Sequence, residues 1–520
     1  MMELAQSATK VIEGGLMKSL SKNILALGLI TCFSFVLTDF FLNGSGISLG
    51  ADERGGTLRG KASPRIELKR CRLEGIQEDV LCGSYSVYED RNARRGRRIQ
   101  LYIAVLPATG REHAADPVFF LSGGPGEGAS DSIGSFVQGF EALREKRDIV
   151  FVDQRGTGRS NPLTCEFSSL DEALHGLLSF SFQSGMIERC RKELEAKADL
   201  RYYTTPIAMD DLDNVREALG YDRINLLGIS YGTRSAMVYM RSHGEHVRSA
   251  ILRAVAPVNM KATLPAARHG QAALQALIEN VLAEEASRNA YPDIQGELDG
   301  VLKDLFERPL LLDALNPLTG QKEQIHMTRD LFAGGIYFLL AHTDSAAYVP
   351  LVIDQASHQN FGPFLETVIP VGLGLSRALS LGVSLTTMCS EDTPLINENE
   401  IAQATAATFM GNAKVVNQIR MCGQWVSGYL PAGYNQPISS KIPVLMISGE
   451  FDPVDGLDLA RGIEKNFPNA MHIVIPNGAH QPAFPGCVRD LVQAFIERGR
   501  GAGIDLSCLK QIKRTPIFIR

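Results

Sequence analysis

The chain has 520 residues, of which 45% are hydrophobic and 21% charged, a balance that excludes disordered, fibrous and collagen-like classes. Its formal net charge is −6, and lysines and arginines are scattered without a basic stripe, which sets aside nucleic-acid binding through phosphate contacts. The length exceeds what one hydrophobic core usually organises, so a large domain with an inserted or appended second lobe is expected.

Lys10, Lys18 and Lys22 precede an apolar run from Asn23 to Thr38 that ends at Asp39. Positive residues before a short apolar stretch read as an export signal. A bilayer span wants ~20 apolar residues, so the run is short for an anchor unless Phe40, Phe41 and Leu42 are counted with it. Residues 1–50 are therefore read as a cleaved signal or an uncleaved anchor with its linker. The protein is expected to be exported, periplasmic or secreted, and to meet a membrane only through such an anchor. Cys32 lies in the run and leaves eight cysteines in the body. Local pairing would join Cys71 to Cys82, Cys165 to Cys190, Cys389 to Cys422 and Cys487 to Cys508; eight cysteines allow about 105 pairings, so the connectivity stays open at this stage.

From residue 65 to 256 apolar runs alternate with Gly-rich or polar turns. Strands are predicted at Ile99 to Val105, Val118 to Leu121, Ile149 to Val152, Ile224 to Leu227 and Ala250 to Leu252. Several are continuous apolar runs, as in a mostly parallel sheet covered on both faces. From 257 to 440 the period becomes helical, for example Leu274, Leu277, Ile278 and Val281, which predicts an inserted helical cap. Strand character returns within 441–520, at Pro443 to Ser448 and Met471 to Ile475. The fold class is α/β: an α/β-hydrolase arrangement, mostly parallel, interrupted by the cap.

Gly228-Ile229-Ser230-Tyr231-Gly232 lies between a predicted strand and a predicted helix, the context in which a Gly-x-Ser-x-Gly turn exposes a nucleophilic serine. A serine hydroxyl is a weak nucleophile at its own pKa and needs a base and an orienting acid. Asp452 follows one late strand and His480 the next, both at strand carboxyl ends, where open α/β sheets place their sites. Asp455 and Glu450 are competing acids. Leu121 to Gly126 is a Gly-rich turn after a strand; a phosphate cradle would want a following Lys-Ser or a Rossmann spacing. The amides of Gly123 or Gly124, with that of Tyr231, are better read as an oxyanion hole. No Cys/His cluster has metal spacing, and neither a metal nor an organic cofactor is implied.

Ser122-Gly123-Gly124-Pro125-Gly126, Asp153-Gln154-Arg155-Gly156-Thr157-Gly158-Arg159-Ser160, the Ser230 motif, Gly449-Glu450-Phe451-Asp452-Pro453 and Gly478-Ala479-His480 together resemble the prolyl iminopeptidase and tripeptidyl aminopeptidase family, with a TAP-like C-terminal region. Ser122 stands where that family usually has His. The resemblance implies a serine exopeptidase acting on peptides with a free N-terminus. That chemistry wants a carboxylate in the cap for the substrate ammonium, and Glu391 and Asp392, beside Cys389, are the candidates. Asp153 and Arg155 are read as fixing a turn beneath the site. An esterase or lipase with the same triad and a non-catalytic binding protein on the same fold are the rival readings. The sequence leaves oligomeric state and the number of residues released open.

Overall fold

The computed structural model describes residues 66–73, 75–480 and 486–519. The expected leader or anchor and its linker over residues 1–50 fall outside the described residues. Strands β1 (Lys69–Cys71), β2 (Val80–Tyr88), β3 (Arg98–Leu106), β4 (Val118–Leu121), β5 (Ile149–Val152), β6 (Ile224–Ile229) and β7 (Val247–Arg253) come first. After a small hairpin, β8 (Leu310–Leu315) and β9 (Lys322–Met327), the chain adds β10 (Val444–Gly449) and β11 (Ala470–Ile475). All but the hairpin form one nine-stranded sheet in the order β1-β2-β3-β5-β4-β6-β7-β10-β11.

From β5 to β11 neighbouring strands run parallel, whereas β1, β2 and β3 meet antiparallel at the other edge. β4, β5 and β10 are buried at every position, which is why their sequences are unbroken apolar runs with no alternation. β1 and β2 were not anticipated from the sequence. β2 carries Gly83, Ser84 and Ser86 and is mostly half-buried, so its apolar periodicity is weak.

Helices cover the sheet. Phe136 stacks its ring edge-on to Phe120 at 4.7 Å and to Phe151 at 5.2 Å. Phe495 and Val492, from the Gly486–Arg498 helix, join the same core. At ~25 cal/mol per Å² of buried apolar surface, such aromatic residues dominate the attachment of helix to sheet.

The segment between β7 and β10 is largely helical, but β8 and β9 pair antiparallel from Leu310↔Met327 to Leu315↔Lys322, so the lobe is not purely helical as expected. Leu315 is exposed, and along β9 exposed positions alternate with more buried ones; the period-two pattern is short and lies among stronger helical signals. The lobe's core also takes in Leu170, Leu174 and Leu178, from the Leu170–Ser179 helix that precedes β6. The lobe thus draws on chain from before the nucleophile motif as well as after it.

All four local cysteine pairs are bonded. Cys71–Cys82, Cys165–Cys190, Cys389–Cys422 and Cys487–Cys508 have Cα separations of 5.8, 5.5, 5.0 and 5.9 Å, inside the usual span for a bridge. Four disulfides suit an extracellular protein. Among the described residues no helix is long and apolar enough to cross a membrane.

Candidate active site

β6 ends at Ile229 and the Tyr231–His243 helix begins two residues later, leaving Ser230 at φ 55° and ψ −124°. A non-glycine residue held there is strained, and strain of ~1–3 kcal/mol persists only where the surroundings enforce it. The enforcement is visible at the flanking glycines. A Cβ on Gly228 would lie 2.3 Å from the carbonyl oxygen of Gly232, and one on Gly232 would lie 2.1 Å from that of Leu121. Backbone fills both spaces, so the turn closes only with glycine at these two positions.

His480 and Asp452 converge on this turn from the carboxyl ends of β11 and β10. The Ser230 hydroxyl is 3.1 Å from Nε2 of His480. On the other side of the ring, Nδ1 lies 3.1 and 3.0 Å from the two carboxylate oxygens of Asp452. Asp452 is in turn fixed by the amides of Val454 and Asp455, which donate to Oδ1 at 2.8 and 2.9 Å. Burial works to raise the Asp452 carboxyl, but His480 and the two amides hold it below its usual value. Burial likewise disfavours a charged imidazole, yet Asp452 and Asp455 keep the His480 pKa above its ordinary value. An imidazole that gains a proton readily and keeps its ring in one orientation suits a general base.

Asp455, named from the sequence as a competing acid, shares the pocket without taking the same place. Its Oδ2 stands 3.8 Å from Nδ1 of His480, beyond hydrogen-bond reach. Burial, opposed by His480 but reinforced by Asp452, pushes its carboxyl up to about 7. Glu450 points elsewhere and accepts from the amide of Asn477 at 2.9 Å. Half-buried His342 also faces the cluster; burial and the nearby His480 and Arg253 lower it to about 4, so it is neutral near pH 7. The sequence offered no signal for His342 beyond its being one of ten histidines.

The Gly-rich turn after β4 lies alongside. Gly124 has φ 103°, and a Cβ there would lie 2.7 Å from the amide of Gly126. Cap residues brace the turn: the Ser380 amide donates to the Gly126 carbonyl at 2.9 Å and the Ser384 hydroxyl donates to that of Pro125. The Gly123 amide donates to the side chain of Glu127, and a Cβ on Gly123 would lie 3.5 Å from that of Ser230, which sets the turn against the nucleophile motif. The Tyr231 amide belongs to the first turn of its helix and has no intrahelical acceptor.

Asp153 and Arg155 lie beneath this layer. Asp153 accepts from the amides of Ser130 and Arg159 at 2.8 and 2.9 Å. Arg155 donates to both carboxylate oxygens of Asp211 at 2.7 and 3.0 Å and to the Glu89 carbonyl at 2.9 Å. Both tie turns together and neither opens onto the cleft, since both are almost wholly buried.

Glu391 and Asp392 differ from expectation. Glu391 accepts from the amide and hydroxyl of Thr205 at 2.8 and 2.9 Å and from the Tyr434 hydroxyl. Arg234, one turn beyond Ser230, reaches Asp392 at 2.7 Å and Glu391 at 3.5 Å. Both carboxylates are buried and share the one guanidinium of Arg234, with Thr205 and Tyr434 also bonded to Glu391, so both are engaged within the protein. The sequence pointed to them because two acids adjoin a cysteine; it gave no view of Arg234 as their partner. Among the described residues no three His, Cys, Asp or Glu side chains gather as metal ligands.

Two family models match the chain. One described as the alpha/beta hydrolase fold spans residues 116–337, and one described as TAP-like protein spans residues 407–508. A tripeptidyl aminopeptidase of Streptomyces lividans is 28% identical over 233 residues, covering 40% of this chain and 42% of that one. The serine protease Hip1 of Mycobacterium tuberculosis is 28% identical over 208 residues, covering 37% and 40%. A proline iminopeptidase of Neisseria gonorrhoeae is 30% identical over 139 residues, covering 27% and 32%. The matched part of the chain thus spans about two fifths or less of the length of these relatives.

Proposed function

We propose, from the α/β-hydrolase fold and the similarity to tripeptidyl aminopeptidases and proline iminopeptidases, that this chain is an exported serine exopeptidase cleaving peptides from a free N-terminus. The observation that carries the reading is the unbroken hydrogen-bonded line from Ser230 through His480 to Asp452.

In the proposed mechanism Ser230 Oγ attacks the scissile carbonyl while Nε2 of His480 takes its proton. The carbonyl oxygen becomes an oxyanion held by an amide of the Gly123–Gly124 turn and that of Tyr231, with the partial positive charge of the Tyr231–His243 helix start behind it. His480 then gives its proton to the leaving amine, which departs and leaves an acyl-enzyme. Water, deprotonated by the same imidazole, attacks the ester and restores Ser230. Asp452 keeps Nδ1 protonated and the ring aimed throughout.

The test has two parts. A fluorophosphonate should label the protein and fail to label Ser230→Ala. The wild type should hydrolyse aminoacyl- or peptidyl-arylamides with a free amine faster than short-chain esters; ester turnover alone would give the protein to the carboxylic ester hydrolases instead.

A further inference from the structure

One carboxylate at the site is left without a role in that mechanism. Glu127 follows the Gly-rich turn, and its backbone is held at three points. Its carbonyl accepts from the Ser122 hydroxyl at 2.8 Å, and it bridges to Leu379 of the cap. The turn before it is bonded to Ser380 and Ser384. Its carboxylate therefore sits at a fixed junction between cap and core. A Cβ placed on Gly123 would lie 3.4 Å from Oε2 of Glu127 and 3.5 Å from Cβ of Ser230, so the carboxylate oxygen is no further from the nucleophile's Cβ than about 7 Å. Burial raises its pKa, reinforced by Asp131 and opposed chiefly by His480 and by the Gly123 amide. No lysine or arginine pairs with it among the described residues. Glu391 and Asp392 differ in this respect, because both pair with Arg234.

We propose that Glu127 receives the free α-ammonium of the residue whose carbonyl Ser230 attacks, so that the enzyme releases one N-terminal residue at a time. The inference rests on the exopeptidase reading and adds to it both the anchoring residue and the length of the released fragment. Reach decides the length. The α-nitrogen of the acyl residue is about 2.5 Å from its own carbonyl carbon, whereas each further residue of an extended chain carries the ammonium about 3.5 Å outward. A tripeptidyl ammonium would stand about 7 Å beyond the single-residue position, past a carboxylate held this close to Ser230. Charge decides the preference. Catalysis makes an imidazolium at His480, and a substrate ammonium beside it would add a second positive charge that Glu127 balances. A blocked amine leaves the Glu127 carboxylate half-buried and unpaired, which disfavours such substrates.

The experiment compares the full exported chain with Glu127→Gln and Glu127→Asp on three arylamides: a single free residue, the same residue N-acetylated, and a tripeptide with a free N-terminus. In the wild type the single free residue should be preferred over both others by at least ten-fold in kcat/KM. Glu127→Gln should lower kcat/KM for it, mainly through KM, by at least ten-fold more than for the acetylated arylamide. Glu127→Asp, which keeps the charge on a shorter stem, should fall between the two and supplies the comparison if the glutamine variant folds poorly. A free-to-blocked ratio that neither variant changes, or a wild-type preference for the tripeptide, would overturn the assignment while leaving the exopeptidase standing. Ester turnover with no arylamide turnover would overturn the exopeptidase itself, and this assignment with it.

Discussion

Two pairs of buried acids lie on either side of the nucleophile turn, Asp452 with Asp455 and Glu391 with Asp392, and each surrounds one cation. In the first pair the cation is the imidazolium of His480, which can give up its proton; in the second it is Arg234, which does not titrate in proteins. Burial pushes Asp455 up to about 7 in the first pair and raises both acids of the second, against the pull of Arg234. Similar carboxylates at similar depth thus do different work. Around an imidazole they tune a proton acceptor, and around a guanidinium they lock the cap to the helix that carries the nucleophile.

The sharpest way to break this contrast is Asp452→Asn. An amide favours the wrong imidazole tautomer, so kcat should fall about 10⁴-fold while the folded state persists; a loss under ten-fold would remove Asp452 from the orienting role. Next comes Arg234→Met, which leaves two buried carboxylates with no cation. Urea unfolding should register a loss of about 3–5 kcal/mol, and a midpoint equal to the wild type's would show that the lock contributes nothing. Glu391→Gln is milder, because the amide keeps an acceptor oxygen while misplacing donors toward Thr205 and Tyr434. A cost of about 1–3 kcal/mol is expected in the same assay, with free-amine and N-blocked substrates affected alike; selective damage to free-amine turnover would return Glu391 to the substrate.

The smallest effect belongs to Asp455→Asn and is read as a pH profile. His480 acts as a base only when neutral, and its pKa in the folded protein is raised above the ordinary value, which is about 6.5. Activity should therefore be full above that raised value and fade as pH drops through it. Asp455 contributes less than Asp452 to holding the imidazolium, so its removal should move the acid limb of kcat/KM modestly to lower pH. A shift to higher pH would contradict the electrostatic role given to Asp455.

Most of the parallel sheet could be read from the sequence because strands buried on both faces need unbroken apolar runs, and Ile149 to Val152 or Val444 to Ile447 cannot easily be anything else. The position of Ser230 was equally legible, since the glycines around it answer to backbone contacts two to three ångströms away. β2 and the β8–β9 hairpin were not, because exposed or half-buried strands need only weak alternation. Charge partnership was the least visible property. Nothing local in Cys389-Ser390-Glu391-Asp392 announces that Arg234, more than 150 positions earlier, neutralises it. A signal for Glu127 did exist: an acid directly after a Gly-rich turn that follows a buried strand.

The line between Ser230 and His480 joins residues 250 positions apart in the chain. A ribosome that has made the first 479 residues has built the strained serine, the glycine turn and the whole cap, but no base. On the assignment proposed here, the Ser230 hydroxyl stays unarmed until the chain has been made through residue 480 and β11 has docked beside β10.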